Sequence, residues 1–129
     1  MMPRAEEILR TTSFARFVPP EHFNRVRDRF EEVHFDFGDT IIRQGDEADA
    51  FYVLVTGRAR VLKEQTNGDE ITLHRLQPGH EFGESALLDG QRRTTTVRCS
   101  TAVDVLRLGR GNFLELVAGY PELMHSLEL

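Results

Sequence analysis

A chain of 129 residues fits one domain with a single hydrophobic core. Its 40% apolar and 29% charged residues are ordinary for a water-soluble globular protein, and a net charge of −5 gives no basis for a general nucleic-acid-binding surface. The longest apolar run, Ala50 to Val55, falls far short of the ~20 residues of a membrane helix, and no signal-like segment follows Met1-Met2-Pro3-Arg4. The lone Cys99 has no internal disulfide partner. The expected setting is cytoplasmic, with no membrane span.

Pro3 and the acidic pair Glu6-Glu7 suit the first turn of a short helix over residues 3 to 10. Phe14, Phe17 and Val18 form an apolar knot before Pro19-Pro20, and Pro20 introduces a helix reaching Glu31 or Glu32. Phe23, Val26 and Phe30 recur at three and four residues along it, giving one buried stripe. Arg25, Arg27 and Arg29 are interleaved with Asp28, Glu31 and Glu32, which makes that face solvated rather than a basic patch.

From residue 33 the period becomes two. His34 to Phe37 alternates, Gly38-Asp39 turns, and Thr40 to Ile42 is extended. Gly45-Asp46 turns again before Phe51 to Val55, and Gly57 precedes a strand carrying Ala59, Val61 and Leu62. Asn67-Gly68 is a hairpin signal, because both residues tolerate positive φ. Ile71, Leu73 and Leu76 follow, Pro78-Gly79 turns, and Val103, Val105 and Leu108 build a late strand. About eight short strands with Gly-containing turns predict an antiparallel sandwich or jelly roll. Asn112 is the expected N-cap of a helix through Val117; Gly119 ends it, and Pro121 opens another whose apolar face includes Leu123, Met124, Leu127 and Leu129.

The stretch Phe82 to Val97, FGESALLDGQRRTTTV, stands apart. It reads as a strand end, one or two turns of helix, a turn at Asp89-Gly90 and another strand. A helix opening beside Gly83 leaves free backbone N–H groups that favour an anion. Glu84 is a carboxylate able to accept from sugar hydroxyls, and Arg93 is a planar cationic fork suited to phosphate oxygens. The usual fate of such a charge pair is a solvent-facing ion pair on a hairpin; the flanking glycines and apolar residues favour binding.

This stretch closely resembles the phosphate-binding cassette of cyclic-nucleotide-binding domains. Phe82, Gly83, Glu84, Ala86, Leu87, Leu88, Arg93, Thr96 and Val97 match it, with the acid-to-arginine spacing intact; Ser85 and Thr95 depart from it. Phe37 to Leu62 is similar to the first half of the same family's β-roll, where Gly38, Gly45 and Gly57 are structural turn residues. The resemblance covers roughly Phe14 to Val117. It implies a mainly β fold, a double-stranded β-helix or jelly-roll-like β-roll at about 33–109. Helices at about 20–32 and 112–129 would flank it, in a single domain that is one module of a larger protein.

By resemblance the ligand is cAMP or cGMP, with no other cofactor. The ribose 2′-hydroxyl meets Glu84 with the Gly83 backbone nearby, and the phosphate meets Arg93 and the N–H groups around Ser85 and Ala86. Val61 lies against the base. Thr94 touches base or phosphate, and a threonine in its place supports cGMP in the family. The implied role is regulatory rather than enzymatic: nucleotide binding switches an effector domain in the same or another chain, as in a transcription regulator whose DNA-binding part is absent here. A homodimer through the C-terminal helices fits the same resemblance.

Two rival readings have less support in the residues. A jelly roll with His80 and Glu84 four apart raises a metal-dependent cupin, but no H-x-H pair accompanies them among His22, His34, His74, His80 and His125. A roll that binds no nucleotide and serves only as an interaction module gives no reason for Glu84 and Arg93 at their spacing. No nucleophile elbow, P-loop, GxGxxG or HExxH is present.

Overall fold

The computed structural model describes residues 1–128; Leu129, counted above with the last apolar face, lies outside them. Helix α1 (Pro3–Leu9) begins on its proline and buries Ala5 and Leu9. A single turn, α2 (Ser13–Arg16), follows where only an apolar knot was expected, and it delivers Phe14 to full burial. A 3-10 turn, Pro20–His22, then leads into α3 (Phe23–Arg27).

This last helix is shorter than expected. The N–H groups of Arg29 and Phe30 bond back three residues, to the carbonyls of Val26 and Arg27, so the helix tightens and closes. Strand β1 (Glu31–Phe35) then starts at Glu31, where the chain finds a partner strand and the carboxylate meets Arg107 at 2.8 Å. The periodic stripe nevertheless holds, since Phe23, Val26 and Phe30 are all buried.

The remaining strands are β2 (Thr40–Ile42), β3 (Ala50–Thr56), β4 (Ala59–Glu64), β5 (Glu70–Leu76), β6 (Glu81–Phe82), β7 (Thr96–Cys99) and β8 (Val103–Gly109). They form two antiparallel four-stranded sheets, β1-β8-β3-β6 and β2-β7-β4-β5, the sandwiched roll expected from the turn spacing. Helix α4 (Glu84–Asp89) interrupts the roll between β6 and β7, and α5 (Arg110–Gly119) and α6 (Pro121–Glu128) complete the chain.

Two apolar clusters hold these layers. Ala50, Tyr52 and Leu54 of β3 face the inter-sheet cluster with Val61, Phe82, Val97 and Val105. Phe51, Val53 and Val55, on its other face, join the helical cluster with Phe14, Leu87, Phe113, Leu116 and Leu123. Both faces of β3 are buried, which explains its unbroken apolar run. Phe51 packs against Phe14 at 5.1 Å and Phe113 at 5.4 Å between ring centroids, binding the N- and C-terminal helices to one strand.

Three local expectations change. The β4–β5 loop has one positive-φ residue, Gly68, with Gly68 N–H bonded to the Gln65 carbonyl and Gln65 N–H to that of Asp69. It is a three-residue turn with a glycine bulge rather than a two-residue turn with both centres left-handed. On β5 only Leu76 is buried, while Ile71 and Leu73 are each 50% exposed, because this strand is a sheet edge and a bulge breaks its alternation. Helix α5 starts at Arg110, so Asn112 is not its N-cap; its Oδ1 accepts from Arg29 at 2.9 Å and joins α5 to the end of α3. No helix among the described residues is long and apolar enough to cross a membrane.

Candidate functional site

β6 and α4 meet at Gly83, whose φ of 93° is the left-handed conformation that glycine adopts at little cost. The residue is also hemmed in. A Cβ there would lie 3.2 Å from Arg93 Nη1, 3.2 Å from Ile42 Cδ1 and 3.3 Å from the Ala50 carbonyl oxygen. This turn aims Glu84 and the first turn of α4 into a cleft of about 310 Å³ between the β6–α4 junction and strands β4 and β5. Gly83, Glu84, Ser85, Ala86, Arg93, Thr94 and Val61, the seven residues singled out from the sequence, all line it.

Arg93 is 6% exposed. Its Nη1 donates to the Gly83 carbonyl and its Nη2 to the Ala50 carbonyl, each at 2.6 Å, so the guanidinium ties the cassette turn to β3. Its ion-pair partner Asp49 stands 3.7 Å away, is largely exposed, and is shared with Arg107 at 3.5 Å. Burial lowers the Arg93 pKa, opposed by the charges of Asp49, Tyr52 and Glu84. The result is a buried cation held by carbonyl dipoles without a close carboxylate, and each terminal nitrogen keeps a second N–H.

Glu84 is the complement. One of its oxygens, Oε2, is buried without a hydrogen-bond partner among the described residues. Burial raises its pKa above the ordinary glutamate value and the neighbouring Glu81 adds to the rise, while its own backbone N–H and Arg93 oppose it. Such an orphaned acceptor fits a hydroxyl donor from a ligand.

Arg92 takes the other direction. It is exposed, donates to the Gly45 carbonyl at 3.1 Å and forms a lone β-bridge with Glu47. The strand expected to take in the threonines begins only at Thr96, whose buried hydroxyl accepts from Gln44 N–H; Thr94 stays exposed at the cleft edge. The sequence reading missed Glu81 and the β5 residues Leu73 and His74, which also line the cleft. Glu81 is tied to α2 by Ser13, whose N–H and hydroxyl both donate to it. The cupin alternative finds no support: His80 Nδ1 accepts from Gln77 N–H at 3.0 Å, and among the described residues no three His, Cys, Asp or Glu side chains could hold a metal ion.

A β-roll interrupted by a short helix thus brings a buried arginine and an orphaned glutamate to one cleft. Residues 32–120 match the family model of the cyclic nucleotide-binding domain, and the chain belongs to that family. It is 32% identical over 119 residues to a cAMP-dependent protein kinase regulatory subunit of Blastocladiella emersonii, covering 92% of this chain and 30% of that protein. It is 34% identical over 107 residues to a cGMP-dependent protein kinase of Drosophila melanogaster, 81% of this chain and 12% of that one. The solved catabolite activator protein of Thermus thermophilus superposes with a TM-score of 0.81 at 29% identity, covering 91% of this chain and 55% of that one. The chain thus spans less than a third of either kinase relative.

Proposed function

We propose that the cleft binds a 3′,5′-cyclic nucleotide, cAMP or cGMP, and that occupancy biases an attached effector between two states. Arg93 carries this reading, because a buried guanidinium with a distant, shared carboxylate is stabilised by an incoming anion. In it, the cyclic phosphate takes the free N–H groups of Arg93 and the backbone N–H groups of Ser85 and Ala86. The ribose 2′-hydroxyl donates to Glu84 beside the Gly83 backbone, the base lies over Val61, and Thr94 meets the base or the phosphate.

Nothing in this scheme is catalytic, and the module acts through its partner. Leu87 of α4 shares one apolar cluster with Phe113 and Leu116 of α5 and Leu123 of α6, so a ligand that shifts the cassette has a packed route to the C-terminal helices. Kinase and transcription-regulator effectors both suit that output, and a cytoplasmic setting suits the single, buried Cys99.

Calorimetric titration with cAMP, cGMP and AMP tests the proposal. The cyclic nucleotides are expected to bind measurably tighter than AMP, whose phosphate is larger and carries a second charge. Equal affinity for AMP and cAMP overturns it. Thr94→Ala should change the cAMP-to-cGMP affinity ratio if that hydroxyl selects between bases.

A further inference from the structure

Among the described residues, three buried side-chain oxygens have no hydrogen-bond partner, and two of them, Glu81 Oε1 and Glu84 Oε2, flank the β6–α4 junction. An unpaired buried oxygen is costly, and more so on a carboxylate. Both residues also line the cleft. Glu81 is not free to swing away: its other oxygen, Oε2, accepts from Ser13 N–H at 3.3 Å and from the Ser13 hydroxyl at 2.9 Å, which anchors the side chain to α2. The cation of the site, Arg93, pairs with Asp49 rather than with either acid.

The two carboxylates therefore bear on each other. Burial does most to raise the Glu84 pKa, and its own backbone N–H lowers it; the charge of Glu81 adds to the rise, against Arg93. The other groups nearby act elsewhere or in the opposite sense. Asp49 and Tyr52 bear on Arg93, and His80, next to Glu81, turns its Nδ1 to the Gln77 N–H. His74 lines the cleft from β5; a protonated imidazole there attracts an anion, so its titration strengthens nucleotide binding on acidification.

We propose that Glu81 is a positioning residue that acts through Glu84: its anchored negative charge fixes the acid limit of nucleotide binding without touching the ligand. With Glu81 charged, ionising Glu84 places a second like charge in the same buried corner, so Glu84 holds its proton to higher pH. A protonated carboxyl accepts the ribose hydroxyl less strongly than a carboxylate does. The proposal rests on the cyclic-nucleotide reading above and adds a residue that the reading does not use.

The test is calorimetric titration with cAMP from about pH 5 to pH 8, on the wild type, Glu81→Gln and Ser13→Ala. Wild-type affinity should fall on acidification. In Glu81→Gln, whose amide oxygen still accepts from Ser13, that fall should move to lower pH, so the variant binds more tightly than the wild type at the acid end. Ser13→Ala removes one anchor but no charge; its urea midpoint should drop while its pH profile stays that of the wild type. In a Glu84→Gln background the profile should be flat with or without the Glu81 charge. A wild-type affinity that does not fall, an unmoved fall in Glu81→Gln, a change of equal size at every pH, or a shift that Ser13→Ala reproduces would each overturn the role of Glu81 and leave the cyclic-nucleotide reading standing. A wild type that binds no cAMP at neutral pH overturns that parent reading, and this one with it.

Discussion

Arg92 and Arg93 are chemically identical neighbours in opposite surroundings. Truncating one partner of a buried, hydrogen-bonded charge contact costs about 2–5 kcal/mol, whereas losing an exposed charge costs about 0–1 kcal/mol. Titrations with cAMP should therefore find Arg93→Ala weakened by roughly thirty- to several-thousandfold and Arg92→Ala close to wild type. Arg93→Ala also leaves the Gly83 and Ala50 carbonyls without their donors, so its urea midpoint should fall as well. Arg93→Lys, with a compact ammonium in place of the fork, should recover only part of either loss. Glu84 adds a pH dependence. Its pKa is raised in the fold, mainly by burial, so the folded protein holds this proton more tightly than the unfolded chain does. Its contribution to stability is therefore lost as pH rises from the ordinary glutamate value through the raised one. Glu84→Gln should then raise the melting temperature of the ligand-free protein at neutral pH, with the gain shrinking on acidification. Binding has the opposite sign in the proposed scheme: a ribose hydroxyl donates more strongly to an ionised carboxylate than to a protonated one, so wild-type affinity should fall as pH drops through the same window. In Glu84→Gln affinity should be weaker and flat across it.

At the scale of elements, the β6–α4 junction depends on one backbone conformation. A left-handed residue other than glycine costs about 1–2 kcal/mol, and at Gly83 the new Cβ would press on Arg93 as well as on β3. Gly83→Ala should lower stability by at least that amount in urea denaturation and weaken cAMP binding with it. An alanine at the equally left-handed but open Gly90, the C-cap of α4, should cost stability alone. The short α2 shows a different control. Four residues do not make a stable helix by propensity; this turn exists because Phe14 is seated among Phe30, Phe51 and Phe113 and because Ser13 donates to Glu81.

For the whole molecule, the helical cluster joins the cleft to both chain ends. α4 contributes Leu87, α5 Phe113 and Leu116, and α6 Leu123, while His22 beside α3 hydrogen-bonds Tyr120 between the last two helices at 2.9 Å. Nucleotide binding should accordingly change amide hydrogen exchange in α5 and α6 as well as in α4, and leave β1, on the far edge of its sheet, unchanged. Exchange confined to α4 would show that the helices do not report occupancy. Leu123 is fully buried, and Leu123→Ala should destabilise the domain by about 2–5 kcal/mol, read in denaturant, and weaken the exchange response of α6 more than that of α4.

The strands, their turns and the cassette were legible because each rests on local chemistry: alternating apolar residues, glycines where φ is positive, and an acid and an arginine at fixed spacing. Long-range pairing decided the rest. The stripe Phe23, Val26 and Phe30 predicts a helix reaching Glu31 or Glu32, yet β8 and Arg107 draw Glu31 onward into a sheet. Leu73 looks like a core residue of an alternating strand but lies half-exposed, because β5 is an edge and the bulge at Val61 shifts its register. That shift also put His74 opposite Val61, and the fold set Glu81 between the cleft and Ser13. A ladder's register and a buried carboxylate's partner depend on residues far apart in the chain, so no local pattern could specify them.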